Sequence, residues 1–215
     1  MRWKRSIRYC KRASNALFWD GVNWMNYGQS APRYGERIAV AISRGVKTLG
    51  MGKKGFGRVV YEWPPGGHRV GRFVEEEPFI SCWRHWVEGR SWEETSVYER
   101  MEEALKARGK VDGCINMDDV TARYEELDAI FETVRKTNRI VPCPDYDSWC
   151  FRELGGIVFH VGPDGECFFG KIGQHRLAIA IILGIPRIPA ALGAVYRGSL
   201  PVLHELRWGN QALER

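Results

Sequence analysis

The stretch FFGKIGQHRLAIAIILGIPRIPAAL, residues 168–192, decides how this chain is read. An apolar run ends at Gly170, a short turn reaches Gly173, and His175 and Arg176 open a helix that is otherwise apolar up to Gly184. The first amides of a helix lack intrahelical acceptors and carry a partial positive charge. Gly170 and Gly173 let another group approach the backbone closely. Arg176 adds a planar donor fork, His175 can donate or accept, Gln174 offers an amide, and Lys171 places a cation in the turn. The pattern predicts an anion site at Gly173, Gln174, His175, Arg176 and Lys171, suited to a nucleotide phosphate. The competing reading has the His-Arg pair satisfying nearby carbonyls or pairing with Asp147 or Glu166.

Working outward, GIVFHVGPDGECFFG (156–170) reads as a β-hairpin in which Gly165 takes a positive φ. IPRIPAALGAVY (185–196) reads as a further strand. Its prolines argue for an edge position or a late start. GERIAVAI (35–42) and RVVYEW (58–63) read as strands, the second stopped by PPGG. Between them, SRGVKTLGMGKKGFG reads as a glycine-rich loop; it lacks the GxxxxGK[ST] spacing of a phosphate loop. Residues 76–138 change character to three amphipathic helices. Ser91 and Glu94 form a capping-box pattern there, and the aromatic residues sit at core spacing.

These elements give an α+β chain organised as a basic arm (1–34), a core (35–75 and 141–200), a helical insertion (76–140) and a tail (201–215). The net charge of +6 is unevenly spread. Residues 1–72 hold 15 Lys/Arg against 3 Asp/Glu, and residues 73–148 hold 10 against 18. The basic third suits a phosphate-rich partner; otherwise the two regions solvate the surface or face each other. Residues 1–15 read as a basic amphipathic helix, a nucleic-acid arm or a disordered leader, with a frayed solvated end the leading expectation. The six cysteines include no CxxC pair, so a zinc ribbon is not expected. Reduced thiols and a cytoplasmic or other intracellular setting are the simpler reading. No run is long and apolar enough to span a membrane, and no secretory signal is evident.

The run HVGPDGECFFGKIGQHRLAIAIILGIPRIPAAL resembles the ParB/sulfiredoxin-like superfamily. The features that carry the resemblance are Gly173-Gln174-His175-Arg176, the helix from Leu177 to Leu183, Gly184, and Ile188-Pro189. It covers residues 156–196 and is most similar to ParB-like nuclease-domain proteins. GRVVYEWP, WVEGRSWEETSVYERM and ARYEELDAIFETV match more loosely. The resemblance implies a small mixed sheet interrupted by a helical insertion, with a pocket for CTP or ATP phosphates at the turn. Members of the superfamily include CTP-switched DNA clamps, sulfinic-acid phosphotransferases, a free serine kinase and nucleases. This chain departs from them in two places. Gln174 stands where sulfiredoxins carry a reactive Cys, and Ile172 stands where many relatives carry Asp. No helix-turn-helix run follows the motif, so DNA partitioning is not expected.

The resulting expectation is a nucleotide phosphate-binding protein, as phosphotransferase or nucleotidase, with ATP or CTP and Mg²⁺ as candidate cofactors. Glu36 and Glu62 are the candidate catalytic carboxylates, and Lys47, Lys53 and Lys54 are candidate phosphate contacts. One alternative is a nucleic-acid-binding or nuclease-like protein using Arg2, Lys4, Arg5, Arg8, Lys11, Arg12, Lys53 and Lys54. Another is a noncatalytic interaction protein that keeps the fold.

Overall fold

The computed structural model describes residues 2–51 and 55–208. The chain is mixed α+β. Seven strands form one sheet: β1 (Arg37–Ala41), β2 (Lys47–Leu49), β3 (Val59–Val60), β4 (Val70–Arg72), β5 (Ile157–Val161), β6 (Cys167–Phe169) and β7 (Arg187–Tyr196). The order is β1-β7-β5-β6-β2-β4, and β3 pairs in parallel with the end of β7. The helices are α1 (Arg2–Tyr27), α2 (Glu77–Trp86), α3 (Val97–Arg108), α4 (Met117–Thr137), α5 (Cys143–Tyr146), α6 (Gln174–Ile182) and α7 (Leu203–Trp208).

The prolines of 185–196 do not place β7 at an edge; the late start is what is found, the strand beginning at Arg187 after Pro186. It is an interior strand, antiparallel to β1 and parallel to β5. Leu192 N–H donates to Glu36 O, and Ile42 N–H donates to Pro186 O. The bonded pairs with β1 therefore fall on every second residue, and Pro189, opposite Ala39, lies between them. Its missing N–H faces the other side, where pairing with β5 begins only at Ala190. The ladder loses no bond to the proline. β5 and β7 are buried along nearly their whole lengths, which accounts for their continuous apolar sequence.

The hairpin forms as predicted, with β5 antiparallel to β6 and Gly162 N–H donating to Glu166 O at 2.8 Å. The glycine-rich segment 43–57 is not all loop: Lys47–Leu49 pairs with β6 and β4. In the insertion, Asn116 caps α4 by accepting from the Asp119 amide at 2.8 Å. The Ser91/Glu94 capping box forms as well. It caps a single 3₁₀ turn, and α3 starts only after Ser96, which adopts a left-handed conformation. The aromatic residues pack as core: Trp92 is buried, and Asp128 accepts from the indole N–H groups of Trp86 and Trp92.

The expectation of a frayed basic end is not met. Residues 2–27 form one helix docked on the core. Ala16 and Asn23 are buried, Asn23 donates to the carbonyls of Pro32 and Gly57, and Asp20 accepts from Tyr34 N–H and Arg152. The fully reduced cysteine reading also needs correction, because Cys143 and Cys150 are disulfide-bonded across α5. Among the described residues no helix is long and apolar enough to cross a membrane.

Candidate functional site

The turn between β6 and α6 is built by close approach to β5. Gly170 N–H donates to Val158 O, and Val158 N–H donates to Ile172 O. Gly173 has φ +82°, and a Cβ there would lie 2.9 Å from the Cα of Ile157. Glycine is therefore required by both backbone conformation and space. No side chain caps the helix that follows. The amides of Gln174, His175 and Arg176 meet no acceptor among the described residues; the first bonded amide is Leu177, to Gly173 O.

These amides open into a cavity of about 840 Å³. Its opposite wall is α4, which contributes Arg123, Glu126, Ile130 and Thr133, and the segment after α4 contributes Arg139. The lining holds four cations, Arg123, Arg139, Lys171 and Arg176, against two carboxylates, Asp112 and Glu126. The rest is largely apolar, including Leu127, Val134 and Ile140. A net positive, apolar-walled cleft at a helix N-terminus favours an anion attached to a less polar body. Arg123 donates from Nη1 to the Asp112 carbonyl, yet its Nε is buried without an acceptor. A buried orphan donor costs about 1–3 kcal/mol; that atom is sealed from solvent, and it is the rest of the Arg123 side chain, about one-third exposed, that faces the cavity.

His175 is buried at the boundary with a second cavity of about 120 Å³, whose lining shares Asp112, Gln174 and His175 with the first. Its ring meets the edge of Tyr124 at 5.8 Å. Burial, reinforced by the Arg123 charge, lowers its pKa to about 4. His175 is therefore a neutral donor or acceptor at pH 7 rather than a cation.

Arg176 takes a more structural place than the sequence suggests. It donates to the Gly155 carbonyl and the Tyr146 hydroxyl, and its guanidinium lies over the Tyr146 ring. Two of its five donors are committed. Beneath it, Glu153 is buried, accepts from Cys143 N–H at 2.7 Å and pairs with Arg37 at 3.0 Å. Burial raises the Glu153 pKa, opposed by the Cys143 amide, Arg37 and Arg176. Glu153 thus braces the back of the turn without lining the cavity.

Of the predicted residues, the structure gathers Lys171, Gly173, Gln174, His175 and Arg176 at one cavity. Lys171 also pairs with Glu76 at 2.7 Å. Asp147 and Glu166, the alternative partners for the His-Arg pair, are not engaged by it: Lys47 pairs with Glu166, and Asp147 turns back onto Trp149 N–H. Glu36 and Glu62 are not brought to the cavity. Glu36 is held by Arg207 beside β1, and Glu62 is exposed. Lys53 and Lys54 lie outside the described residues, as do the side chains of Arg2 and Lys4. Arg5, Arg8, Lys11 and Arg12 lie on α1, away from the cavity lining.

Sequence reasoning missed Arg123, Glu126, Asp112, Arg139 and Tyr146. The helical spacing of 117–137 marked its buried face, and the intervening Arg123-Glu126-Ile130-Thr133 row was the available signal for a second, polar-edged face. Among the described residues no group of three His, Cys, Asp or Glu is placed to hold a metal ion. Comparison with known proteins gives no match to a family model, to a curated protein or to a solved structure.

Proposed function

We propose that the chain binds a phosphate-bearing nucleotide of the ATP or CTP type, with phosphate at the start of α6 and the remainder in the cavity against α4. The observation that carries this reading is the convergence of three acceptorless amides, of Gln174, His175 and Arg176, with the cations Arg123, Arg139 and Lys171 on one net-positive cleft. The cavity volume falls within the 300–1,000 Å³ range of small-molecule sites. The resemblance of residues 156–196 to ParB/sulfiredoxin-like proteins supports the same assignment. Asp112 and Glu126 are the carboxylates at the cleft. They replace Glu36 and Glu62 as candidates for a base if the bound nucleotide is turned over. Among the described residues no group of three His, Cys, Asp or Glu is placed to hold magnesium.

The test is a thermal-shift and calorimetric titration with CTP, ATP, the free nucleosides and inorganic phosphate, with and without magnesium. At 100 times the dissociation constant, a nucleotide should stabilise the fold by about 2.7 kcal/mol. Arg123→Met should weaken nucleotide binding tenfold or more, and Glu62→Gln should leave it unchanged. A flat response to every nucleotide overturns the proposal.

A further inference from the structure

α1 presents an apolar stripe to solvent that none of the described residues covers. Trp3, Ile7, Leu17, Phe18, Trp24 and Met25 are all exposed, Leu17 and Met25 by 79% and 78%. At 3.6 residues per turn they fall within an arc of roughly 120°. Lys11 borders that arc, Arg8 and Arg5 lie farther round toward the docked face, and all three are exposed. The opposite face is fixed to the core through Ala16, Asp20 and Asn23. The stripe is thus held outward by the fold.

We propose that the outer face of α1 is an interfacial helix that lies on an anionic lipid bilayer. A helix with an apolar arc rich in Trp, Phe and Leu beside a Lys/Arg border seats its apolar face at the headgroup boundary, and its cations meet anionic headgroups. Two other partners fit less well. A nucleic acid would use the cations and the aromatic rings, but Ile7, Leu17 and Met25 have no ring to stack and no polar group for a phosphate. A second α1 would bring cations against cations or against an uncharged half. Asp20, the helix's one acidic residue, is turned inward to Arg152. The acidic insertion of a second copy offers the right charge but little apolar cover. On α2–α4 and their connections, Val87 and Ile115 are the exposed large apolar residues among those described, and they are isolated.

The experiment is vesicle co-sedimentation of the full chain. Phosphatidylcholine vesicles are compared with phosphatidylcholine–phosphatidylserine vesicles, alongside light scattering for oligomeric state and a duplex-oligonucleotide shift assay. The chain should partition onto phosphatidylserine-containing vesicles, and added salt should weaken this. Leu17→Ser combined with Met25→Ser should lower the partition coefficient about tenfold or more at unchanged far-ultraviolet circular dichroism, because both side chains are exposed. Arg8→Glu combined with Lys11→Glu should remove the preference for anionic vesicles. Absence of vesicle binding overturns the proposal, as does vesicle binding that the double serine variant retains. It is equally overturned by oligonucleotide binding or a serine-sensitive dimer in a chain that ignores vesicles.

Discussion

Arg176 donates from one side of its guanidinium to the Gly155 carbonyl and from the other to the Tyr146 hydroxyl, with the Tyr146 ring 5.2 Å from the guanidinium carbon. The side chain that most resembles a phosphate clamp in the sequence is therefore also a tie between α6 and residues 146–155. Its two roles separate by mutation. Tyr146→Phe keeps the ring and deletes one acceptor at a half-exposed site, so stability should fall by less than about 1 kcal/mol and nucleotide affinity should persist. Arg176→Ala strands the Gly155 carbonyl and removes a cation from the cleft. Stability should drop by about 1–3 kcal/mol and affinity tenfold or more. Urea unfolding and calorimetric titration of both variants check this.

Gly173→Ala should be more damaging than a one-methyl change suggests. The position has φ +82°, and the new Cβ would sit 2.9 Å from Ile157 Cα and 3.1 Å from Ile157 Cγ1. Left-handed backbone adds about 1–2 kcal/mol, and crowding against a buried strand adds about 1–3 kcal/mol. A loss of about 2–5 kcal/mol is expected in denaturant unfolding, with nucleotide binding lost because the α6 amides move. Gly21→Ala, inside α1 with nothing within 4 Å of the added Cβ, is the control and should stabilise the chain by about 0.5–1 kcal/mol.

The sequence revealed most clearly those features that local rules decide. The hairpin, α6 and β1 follow from turn residues and unbroken apolar runs. The place of β7 did not follow, because Pro189 signals an edge locally while the sheet offsets its missing N–H by where pairing with β5 begins. Lys47–Leu49 hid its strand among glycines, because a three-residue strand is set by its neighbours and not by its own periodicity. At the site, residues 171–176 were legible since they are contiguous. Arg123 and Glu126 were not, because the meeting of α4 with α6 is a tertiary fact about residues some fifty positions apart. The Cys143–Cys150 bond was hidden for the same reason that cysteine connectivity always is: spacing alone does not show which sulfurs meet.

That bond yields a redox prediction. It closes a short loop that carries Tyr146 at the cavity and ends three residues before Glu153. In the chain-entropy account a loop of this size is worth about 2 kcal/mol. Reduction with a dithiol should lower the unfolding midpoint accordingly, while nucleotide affinity persists as in Tyr146→Phe, because Arg176 keeps its Gly155 partner. Cys143→Ser with Cys150→Ser should show the reduced behaviour with or without dithiol. An unchanged melting midpoint on full reduction would show that the bond contributes nothing to the fold.

Two buried imidazoles set the acid response. His160 is fully buried, its Nδ1 accepts the Ala194 amide at 2.9 Å, and burial lowers its pKa to about 4. His175 is lowered to about 4 as well, again chiefly by burial. Both are neutral in the folded chain at pH 7, while in the unfolded chain each gains a proton below about 6.5. The unfolded state then binds more protons, so stability is present above about pH 6.5 and lost as pH falls toward 4. At pH 5 the loss should be about 2 kcal/mol per histidine. His175→Gln, at the cavity boundary, should remove about half of this slope while leaving the sheet intact. Urea unfolding midpoints at pH 7, 6 and 5 measure it, and a chain equally stable at all three would mean that neither ring is neutral and buried in solution.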